Sequence, residues 1–398
     1  MPLPVINIKK EHSLRLETGS PWVFSNEIAN FADLKTISCG SLVQINLANK
    51  PFALGYFNHK TLISARILSK NVAQKIDVSF FVNKIQQALS LRQKFYQHPN
   101  YRLIHSEADG LPGLIVDRFA NIFVCQISTA GMQNLQTIFT EAMQIIFANC
   151  NLIFKNNQEN RSLEGLEVQH NQDSSDKLTN QLVEVQENNL FFTVDLVNSQ
   201  KTGWFFDQQP SRKFVAEISK NQKVLDAYCF VGGFGVNAFA GGASEVLFID
   251  SSKHALDLAK QNCQKLLGNN YQEKAKFYQG QVFDLLSSSQ FTEQKFDIIL
   301  LDPPPFIQNK KHLFAGLRGY EKLAKMAIPL LNNGGILMLA SCSHHASKEQ
   351  LINSVNMALQ KSHKTGRLIA SFTAGPDHPL HPALKESEYL KSLFFVIN

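Results

Sequence analysis

The sequence predicts an α/β protein in which a doubly wound, mainly parallel sheet follows two smaller domains. Its 398 residues exceed what one hydrophobic core usually supports, so several domains are expected. Short β-like runs fill the first part of the chain, whereas from Val183 onward strand-like runs alternate with helical patterns. We therefore expect a β-rich domain over residues 1–72, a central α+β domain over residues 73–185 and a parallel-sheet domain over residues 186–398.

The β-rich domain is predicted from runs at residues 41–47, 52–58 and 62–68, which Gly, Asn and Lys residues separate. From Asp77 to Tyr96 apolar residues recur at helical spacing, so a helix leads away from this domain. Strands are then expected at residues 101–104, 114–116 and 122–127, with an amphipathic helix at residues 133–147. The polar composition of residues 156–180 predicts an exposed and mobile loop or hairpin.

The last domain is predicted from the alternation of two patterns. Strands are expected at residues 189–196, 224–226, 246–250, 276–279, 296–301 and 336–340. Helices are expected at residues 209–219, 235–240, 253–267, 320–331 and 348–360. Such an open parallel sheet binds ligands outside the carboxyl ends of its strands.

Composition excludes several classes of protein. No run of about 18 apolar residues is present, and residues 1–10 lack the apolar core of a signal peptide, so we expect a cytoplasmic protein without a membrane span. The 6 cysteines form no CxxC pair, which argues against a metal site or a disulfide framework. A net charge of +6 permits contact with a polyanion, although an evenly solvated lysine-rich surface would give the same value.

A glycine-containing turn and two acids predict a nucleoside pocket at the sheet edge. The strand that ends at Asp226 enters a turn with Cys229, Phe230 and Gly232, and the next strand ends at Asp250. Glycine lets the backbone approach a ligand, and an acid after the second strand can hold two ribose hydroxyls. The spacing fails the GxGxxG template of dinucleotides. S-adenosylmethionine has no phosphate and fits better, with its methionine end at Asp226 and the turn and its ribose at Asp250.

Two further strand ends carry reactive or substrate-holding residues. Residues 301–306 read Leu-Asp-Pro-Pro-Pro-Phe, and residues 341–343 read Ser-Cys-Ser. Both follow runs typical of buried parallel strands, so Asp302 and Cys342 are expected at the same edge. A nucleophile and a substrate clamp at one edge suggest group transfer.

Together these segments resemble the bacterial large-subunit (23S) ribosomal RNA cytosine-C5 methyltransferases. That family combines an RNA-binding PUA domain, a central domain and a class I, Rossmann-like S-adenosylmethionine-dependent methyltransferase domain. The resemblance covers nearly the whole chain. Its carriers are Ser-Pro-Trp-Val-Phe-Ser at 20–25, Tyr-Arg-Leu-Ile at 101–104, Glu-Ala-Asp-Gly-Leu-Pro-Gly at 107–113, Asp-Arg-Phe at 117–119, Lys-Thr-Gly-Trp-Phe-Phe-Asp-Gln at 201–208, the Gly232 turn, Asp-Pro-Pro at 302–304, Arg-Gly-Tyr at 318–320, Ser-Cys-Ser at 341–343 and Asp-His-Pro at 377–379.

The resemblance implies a covalent mechanism. Cys342 would attack carbon 6 of a flipped cytosine so that carbon 5 can accept the methyl group, and Asp302 would orient the base. Since an ordinary thiol has a pKa near 8.5, neighbouring groups must favour its reactive thiolate form. The implied substrate residues are Pro303, Pro304, Phe306, Arg318 and Tyr320.

The resemblance also implies the cofactor residues. They are Lys201, Phe206, Asp207, Gln208, Asp226, Cys229, Phe230, Gly232, Asp250, Ser251, Gln281, Val282 and Asp302. Gln281 stands where the family carries an acid that meets the adenine amine, and its side-chain oxygen could accept the same hydrogen bond. The implied partner is large-subunit ribosomal RNA, with no metal, and a homodimer stays an open alternative.

Two other functions remain open. Asp-Pro-Pro followed by an aromatic residue also occurs in enzymes that methylate amines, so methylation of a guanine or another base nitrogen in ribosomal RNA is one alternative. A noncatalytic RNA-binding assembly factor is the second. Cys342 discriminates among them, because nitrogen methylation does not need a thiol. RNA recognition is expected from the amino-terminal domain, since the catalytic domain shows little basic clustering at its sheet edge.

Overall fold

The computed structural model describes residues 2–156, 159–167, 182–198, 202–307 and 309–398. Its contacts divide the chain into two units. The first unit comprises Met1–Gln181, Leu196–Trp204 and Pro376–Ser387, and the second comprises Leu182–Asp195, Phe205–Gly375 and Glu388–Asn398. Each unit is therefore assembled from segments that are distant in sequence. The three-domain division at residues 72 and 185 stays a prediction.

The first sheet of the first unit is five-stranded, with the order β1-β3-β4-β5-β2. Its strands are β1 (Val5–Ile8), β2 (Trp22–Phe24), β3 (Ser41–Leu47), β4 (Lys50–Phe57) and β5 (Ile63–Ser69), and helix α1 is Ser13–Glu17. Strand β1 is parallel to β3, and the other pairs are antiparallel. The three predicted strands are confirmed. Strands β1 and β2 escaped prediction because runs of 4 and 3 residues carry little periodicity.

A second sheet in this unit has the order β6-β7-β8-β9. Its strands are β6 (Asn100–His105), β7 (Leu114–Phe119), β8 (Ile122–Ile127) and β9 (Asn151–Phe154), and its helices are α2 (Val78–Arg92), α3 (Ala130–Asn134) and α4 (Gln136–Ile146). Asp77 caps α2 by accepting a hydrogen bond from the backbone N–H of Phe80 at 3.1 Å. The predicted helix at 133–147 is thus two helices that meet at Leu135.

The prediction of an exposed loop over residues 156–180 is wrong for its first described part. The side-chain oxygen of Asn156 accepts a hydrogen bond from the backbone N–H of Ile127 at 3.0 Å. Glu164 is buried, accepts hydrogen bonds from Asn58 and forms an ion pair with Arg66 at 2.9 Å. These polar side chains satisfy buried partners, which composition alone does not reveal. Residues 157–158 and 168–180 of the predicted loop lie outside the described residues.

The second unit begins with a hairpin of strands β10 (Leu182–Glu187) and β11 (Leu190–Asp195). Asn188 and Asn189 join them with φ of 52° and 62°, the left-handed pair that a tight hairpin turn requires. The two strands form a sheet of their own. The expectation that residues 189–196 run in the parallel sheet was therefore wrong.

The main sheet of this unit has seven strands in the order β14-β13-β12-β15-β16-β18-β17. They are β12 (Lys223–Ala227), β13 (Glu245–Asp250), β14 (Ala275–Gln279), β15 (Phe296–Leu301), β16 (Leu331–Ser341), β17 (Gly366–Phe372) and β18 (Lys391–Ile397). Strands β12 to β16 pair in parallel, and β18 is antiparallel to both β16 and β17. The strand order reverses between β12 and β15, where open α/β sheets bind ligands.

Eight helices connect these strands in the described part of the chain. They are α5 (Gln209–Ile218), α6 (Gly233–Ala240), α7 (Lys253–Leu267), α8 (Tyr271–Lys274), α9 (Val282–Ser287), α10 (Ser289–Thr292), α11 (Leu313–Ala327) and α12 (Lys348–Lys361). The predicted bounds of α7 are confirmed. Helix α11 begins at Leu313, before the predicted residue 320. The predicted start was too late because Gly316 and Gly319 interrupt the apolar pattern of the helix. Among the described helices, none combines the length and apolar character that crossing a membrane requires.

Candidate cofactor and substrate site

The predicted residues gather at the carboxyl edge of the main sheet. Strands β13, β12, β15 and β16 are consecutive neighbours, and they end at Asp250, Ala227, Leu301 and Ser341. The glycine turn, the ribose acid, the Asp-Pro-Pro loop and the cysteine turn therefore begin side by side. This adjacency follows from the parallel pairing, since the carboxyl ends of parallel strands share one edge.

The turn after β12 has an unusual backbone. Tyr228, Phe230 and Gly232 have φ of 63°, 51° and 82°, in the left-handed region. For the two aromatic residues this conformation is costly, and such strain concentrates at ligand sites. The N–H of Cys229 donates to the carbonyl of Ile249 at 3.0 Å, which fixes the turn against β13. The turn is thus preformed and close to the end of β13.

Asp250 presents two oriented acceptors at the end of β13. One carboxylate oxygen accepts from the N–H of Phe230 and the other from the N–H of Ser252, both at 2.9 Å. Each oxygen of a carboxylate can accept a second hydrogen bond. Because Asp250 is half-exposed, these remaining acceptors can meet a pair of vicinal hydroxyl groups.

Asp226 lies behind the turn and is 1% exposed. Its carboxylate accepts a hydrogen bond from the N–H of Gly235 at 2.8 Å, at the start of α6. Burial raises the pKa of Asp226 to about 7, the Gly235 hydrogen bond lowers it, and the negative charges of Asp302 and Asp250 raise it. A cationic group nearby would favour the ionised form of this carboxyl.

The other predicted cofactor residues have different surroundings. Ser251 and Gln281 are exposed next to β13 and α9, and Val282 is buried as the first residue of α9. Asp207 accepts a hydrogen bond from the hydroxyl of Tyr389 at 2.6 Å. The side-chain oxygen of Gln208 accepts a hydrogen bond from the hydroxyl of Ser392 at 2.9 Å. Asp207 and Gln208 therefore hold the chain around the start of β18. Phe206 is buried in the same turn, and Lys201 lies outside the described residues.

The Asp-Pro-Pro loop packs onto α11 through two glycines. A Cβ at Gly319 would lie 3.0 Å from the ring of Phe306, and one at Gly316 would overlap Ile307 and lie 2.8 Å from the carbonyl oxygen of Phe306. The Phe306 ring centroid is 4.8 Å from that of Tyr320. The glycines therefore permit a close approach that fixes the loop carrying half-buried Asp302.

Tyr320 connects this loop to the cysteine turn. Its side chain is fully buried, and its hydroxyl lies 2.8 Å from the hydroxyl of Ser341. Burial raises the pKa of Tyr320 to about 12, so the phenol is neutral at pH 7. Of the predicted Arg-Gly-Tyr motif, Arg318 is exposed and Tyr320 supports Phe306 and Ser341 from within.

Cys342 occupies the turn that follows β16, is half-buried and is not in a disulfide bond. The hydroxyl of Ser343 donates to the carbonyl of Ile307 at 2.8 Å, which joins the cysteine turn to the Asp-Pro-Pro loop. The ammonium of Lys391 donates to the carbonyl of Ser343 at 3.2 Å. Sequence reasoning missed Lys391, because its contact with Ser343 depends on the pairing of β16 with β18.

A basic, exposed segment follows the Asp-Pro-Pro loop in the chain. Lys310, Lys311, His312 and Arg318 are exposed, and Phe314 is 78% exposed. The expectation of little basic clustering at the sheet edge stays a prediction. Among the described residues, no group of three or more His, Cys, Asp or Glu side chains is arranged to hold a metal ion.

The fold and this edge define the class of the protein. A family profile described as S-adenosylmethionine-dependent methyltransferase matches residues 168–383, and a PUA-like domain profile matches residues 6–70. The chain belongs to the S-adenosylmethionine-dependent methyltransferase family and is an enzyme that uses S-adenosylmethionine. The acceptors of Asp250 and the close-approach turn at Gly232 fit the nucleoside part of this cofactor.

Particular relatives extend the likeness along the chain. The chain is 34% identical over 394 residues to the ribosomal RNA large subunit methyltransferase I of Aliivibrio fischeri, with 97% of each chain covered. It is 33% identical over 375 residues to the protein of that name from Escherichia coli strain K12, with 93% of each covered. The predicted family resemblance is confirmed.

Solved structures share the fold at lower identity. An S-adenosylmethionine-dependent methyltransferase from Streptococcus mutans has a TM-score of 0.79 at 17% identity and covers 99% of this chain and 100% of its own. A methyltransferase complexed with SAH has a TM-score of 0.80 at 17% identity, with 100% of both chains covered. These likenesses confirm the α/β fold class.

Proposed function

We propose that the protein methylates carbon 5 of a cytosine in large-subunit (23S) ribosomal RNA through a covalent Cys342 adduct. The observation that carries the proposal is the hydrogen bond from Ser343 to Ile307, which places the cysteine turn directly against the Asp-Pro-Pro loop. The relatives named ribosomal RNA large subunit methyltransferase I support the RNA substrate.

The cofactor has a matching set of residues. Asp250 would hold the ribose hydroxyls, and Asp226 with the turn at Cys229, Phe230 and Gly232 would line the methionine end. Ser251, Gln281 and Val282 would border the adenine, with the Gln281 oxygen accepting from its amine. Phe206, Asp207 and Gln208 would cap the cofactor. When bound, S-adenosylmethionine supplies an electrophilic methyl group.

Cys342 would activate the base by addition. Its thiolate would form a bond to carbon 6, and the electron pair of the carbon 5–carbon 6 double bond would become available at carbon 5. Carbon 5 would take up the methyl group while the bond from that methyl group to the sulfonium sulfur breaks, and the sulfur would keep the electron pair of the broken bond. A base then removes the proton from carbon 5. The released electron pair restores the double bond, and the sulfur leaves as a thiolate.

Asp302 would orient the cytosine during this addition. Its carboxylate can accept a hydrogen bond from the exocyclic amine or from a protonated ring nitrogen, and it can assist proton transfer. Pro303, Pro304 and Phe306 would form the walls of the base pocket. Tyr320 would act through Phe306 and Ser341, since its own ring is fully buried.

RNA would be held on two parts of the chain. The PUA-like region within residues 1–72 would bind RNA, the central region over residues 73–185 would support it, and residues 186–398 would carry out methyl transfer. The basic segment with Lys310, Lys311 and Arg318 would contact phosphates, and exposed Phe314 offers a ring on which an unpaired base can stack. With such a substrate, the protein would act in the cytoplasm. A homodimer stays a prediction.

Trapping and base-resolved mapping test the proposal. Ribosomal RNA containing 5-fluorocytidine should form a denaturation-resistant complex with the wild-type enzyme and cofactor, because fluorine cannot leave carbon 5 as a proton. Cys342→Ser should not be trapped, whereas Cys39→Ser should behave as wild type. With natural RNA, mapping should find 5-methylcytosine. Methylation at a nitrogen would replace this mechanism with direct transfer, and equal trapping of Cys342→Ser would show that another residue is the nucleophile.

A further inference from the structure

A buried lysine lies against the proposed nucleophile. Lys391 opens β18, where it is directly opposite Ser341 in the antiparallel register with β16, and it is 8% exposed. Lysine is rarely buried to this degree unless its ammonium has partners. Its position next to the cysteine turn therefore requires an explanation.

The ammonium of Lys391 is held by backbone oxygens. It donates hydrogen bonds to the carbonyls of Ser343 at 3.2 Å, of Glu388 at 3.3 Å and of Tyr389 at 3.3 Å. Three acceptors match the three N–H groups of an ammonium. Carbonyl oxygens satisfy these donors without neutralising the positive charge. Lys391 thus holds a fixed positive charge beside the cysteine turn, because it pairs with Ser341 and donates a hydrogen bond to Ser343.

We propose that Lys391 is the positioning residue that fixes the cysteine turn and favours the thiolate form of Cys342 through its charge. The inference rests on the proposed role of Cys342 as the nucleophile. A thiol with an ordinary pKa near 8.5 is mostly protonated at neutral pH, and an adjacent cation favours its anion. Lys391 supplies the neighbouring group that the chemistry demands.

Other charged and titratable groups face the same turn. Asp302 after β15, Glu349 at the start of α12 and Glu388 before β18 carry negative charge, which opposes a thiolate. Tyr320 of α11 is neutral at pH 7, and His344 follows the turn directly. Burial lowers the pKa of Lys391, whereas the charges of Glu388, Cys342 and Glu349 raise it. This coupling is reciprocal: if a thiolate stabilises the ammonium, the ammonium stabilises the thiolate.

The test measures thiol reactivity in the full-length protein without RNA. The rate at which iodoacetamide alkylates Cys342 is followed by peptide mass spectrometry from about pH 6 to about pH 10, a range that spans ordinary thiol ionisation. The neutral variant Lys391→Gln retains an N–H donor, and Lys391→Arg retains the charge. Lys391→Gln should move the midpoint upward by about one pH unit or more, and Lys391→Arg should restore it. Cys342→Ser identifies the labelled peptide.

A purely structural role would give a different result. It would change the alkylation rate at every pH without moving the midpoint, and an unchanged midpoint in folded Lys391→Gln would overturn the proposal. If Lys391→Gln does not fold, Lys391→Met provides a second neutral side chain. The proposal would be overturned if neither neutral variant shifted the midpoint relative to folded Lys391→Arg. It would also be overturned if both neutral variants unfolded, because the role of Lys391 would then be structural. The RNA trapping experiment is independent, so its failure with a shifted midpoint would overturn only the proposed reaction.

Discussion

At the scale of single residues, Asp226 combines burial with a carboxyl that titrates near neutrality. Its folded pKa of about 7 exceeds the ordinary value of 3.8. The folded protein therefore keeps a proton that the unfolded chain releases between these two pH values. This contribution to stability is fully present below about pH 4 and is lost as the pH rises through about 7.

Asp226→Asn should remove that dependence. Relative to wild type, the variant should gain on the order of 2 kcal/mol in the free energy of unfolding between about pH 5 and about pH 8. Urea unfolding of both proteins without cofactor, at these two pH values, measures the difference. Asp257→Asn on the exposed surface of α7 serves as the control. A difference between Asp226→Asn and wild type that does not vary with pH would contradict the assignment.

Asp250 provides the second prediction at this scale. Asp250→Ala removes both carboxylate acceptors and leaves the N–H groups of Phe230 and Ser252 without their partners. Binding of S-adenosylmethionine should weaken by about 2 to 4 kcal/mol, as expected for hydrogen bonds to a charged group. Isothermal titration calorimetry measures this change, with Asp257→Ala as a matched control. Unchanged affinity in Asp250→Ala would remove this acid from the site.

At the scale of elements, α11 packs closely against the Asp-Pro-Pro loop of the proposed substrate pocket. Gly316→Ala would push a methyl group into Ile307 and the Phe306 carbonyl. Methylation of RNA should slow by at least about tenfold, because a misplaced catalytic group costs rate steeply. Cofactor affinity should be preserved, and Ala315→Ser at an exposed position of α11 should be silent. Normal turnover in Gly316→Ala would show that the loop tolerates displacement.

The start of α11 yields a prediction about RNA. Phe314→Ala should weaken RNA binding by about 1 to 3 kcal/mol, the typical value for one base stacked on an aromatic ring. Lys310→Ala with Lys311→Ala should lower the salt dependence of binding. Fluorescence anisotropy at several salt concentrations separates the two effects, and Leu380→Ala, at another exposed apolar position, is the control. Equal losses in Phe314→Ala and Leu380→Ala would argue against stacking.

Elements with a strong local pattern could be predicted from the sequence, and those fixed by tertiary partners could not. The bounds of β3, β8 and α7 follow from alternating or helical apolar residues, and the parallel edge followed from the repeated strand and helix order. Strand β18 lies between β16 and β17 although it comes last in the chain, so no local pattern indicates its neighbours. Lys391 was missed for that reason, because its partner Ser343 is defined only by the pairing of β16 with β18. Asp250 was easier to predict as a cofactor residue, since a position at the end of a strand is enough to suggest an acid that holds ribose hydroxyls.

At the scale of the whole molecule, residues from two expected domains share buried contacts inside the first unit. Arg66 forms its ion pair with Glu164, and the hydroxyl of Tyr56 donates to the carbonyl of Pro112 at 2.9 Å. Removing one partner of a buried ion pair leaves the other charge uncompensated. A deletion of residues 1–72 would therefore expose buried surface in the rest of this unit and leave the Glu164 carboxylate without its Arg66 partner.

Glu164→Ala should measure that dependence. The free energy of unfolding should fall by about 2 kcal/mol or more, because Arg66 is left with its longer ion pair to Glu107 at 3.7 Å and Asn58 loses its carboxylate acceptor. Chemical denaturation reports the loss, and Arg66→Met combined with Glu164→Leu should recover part of it. A loss in Glu164→Ala no larger than that of a surface substitution such as Glu141→Ala would show that the pair is not required.

The position of β18 has a consequence for synthesis on the ribosome. Translation proceeds from the amino terminus, so Lys391–Ile397 leave the exit tunnel after both strands that they pair with. Until they do, β16 lacks its antiparallel neighbour, β17 has no strand to pair with, and the cysteine turn lacks the ammonium that holds it. The cysteine turn therefore gains this ammonium only after β18 has emerged, when the other six strands of the sheet are already outside the tunnel.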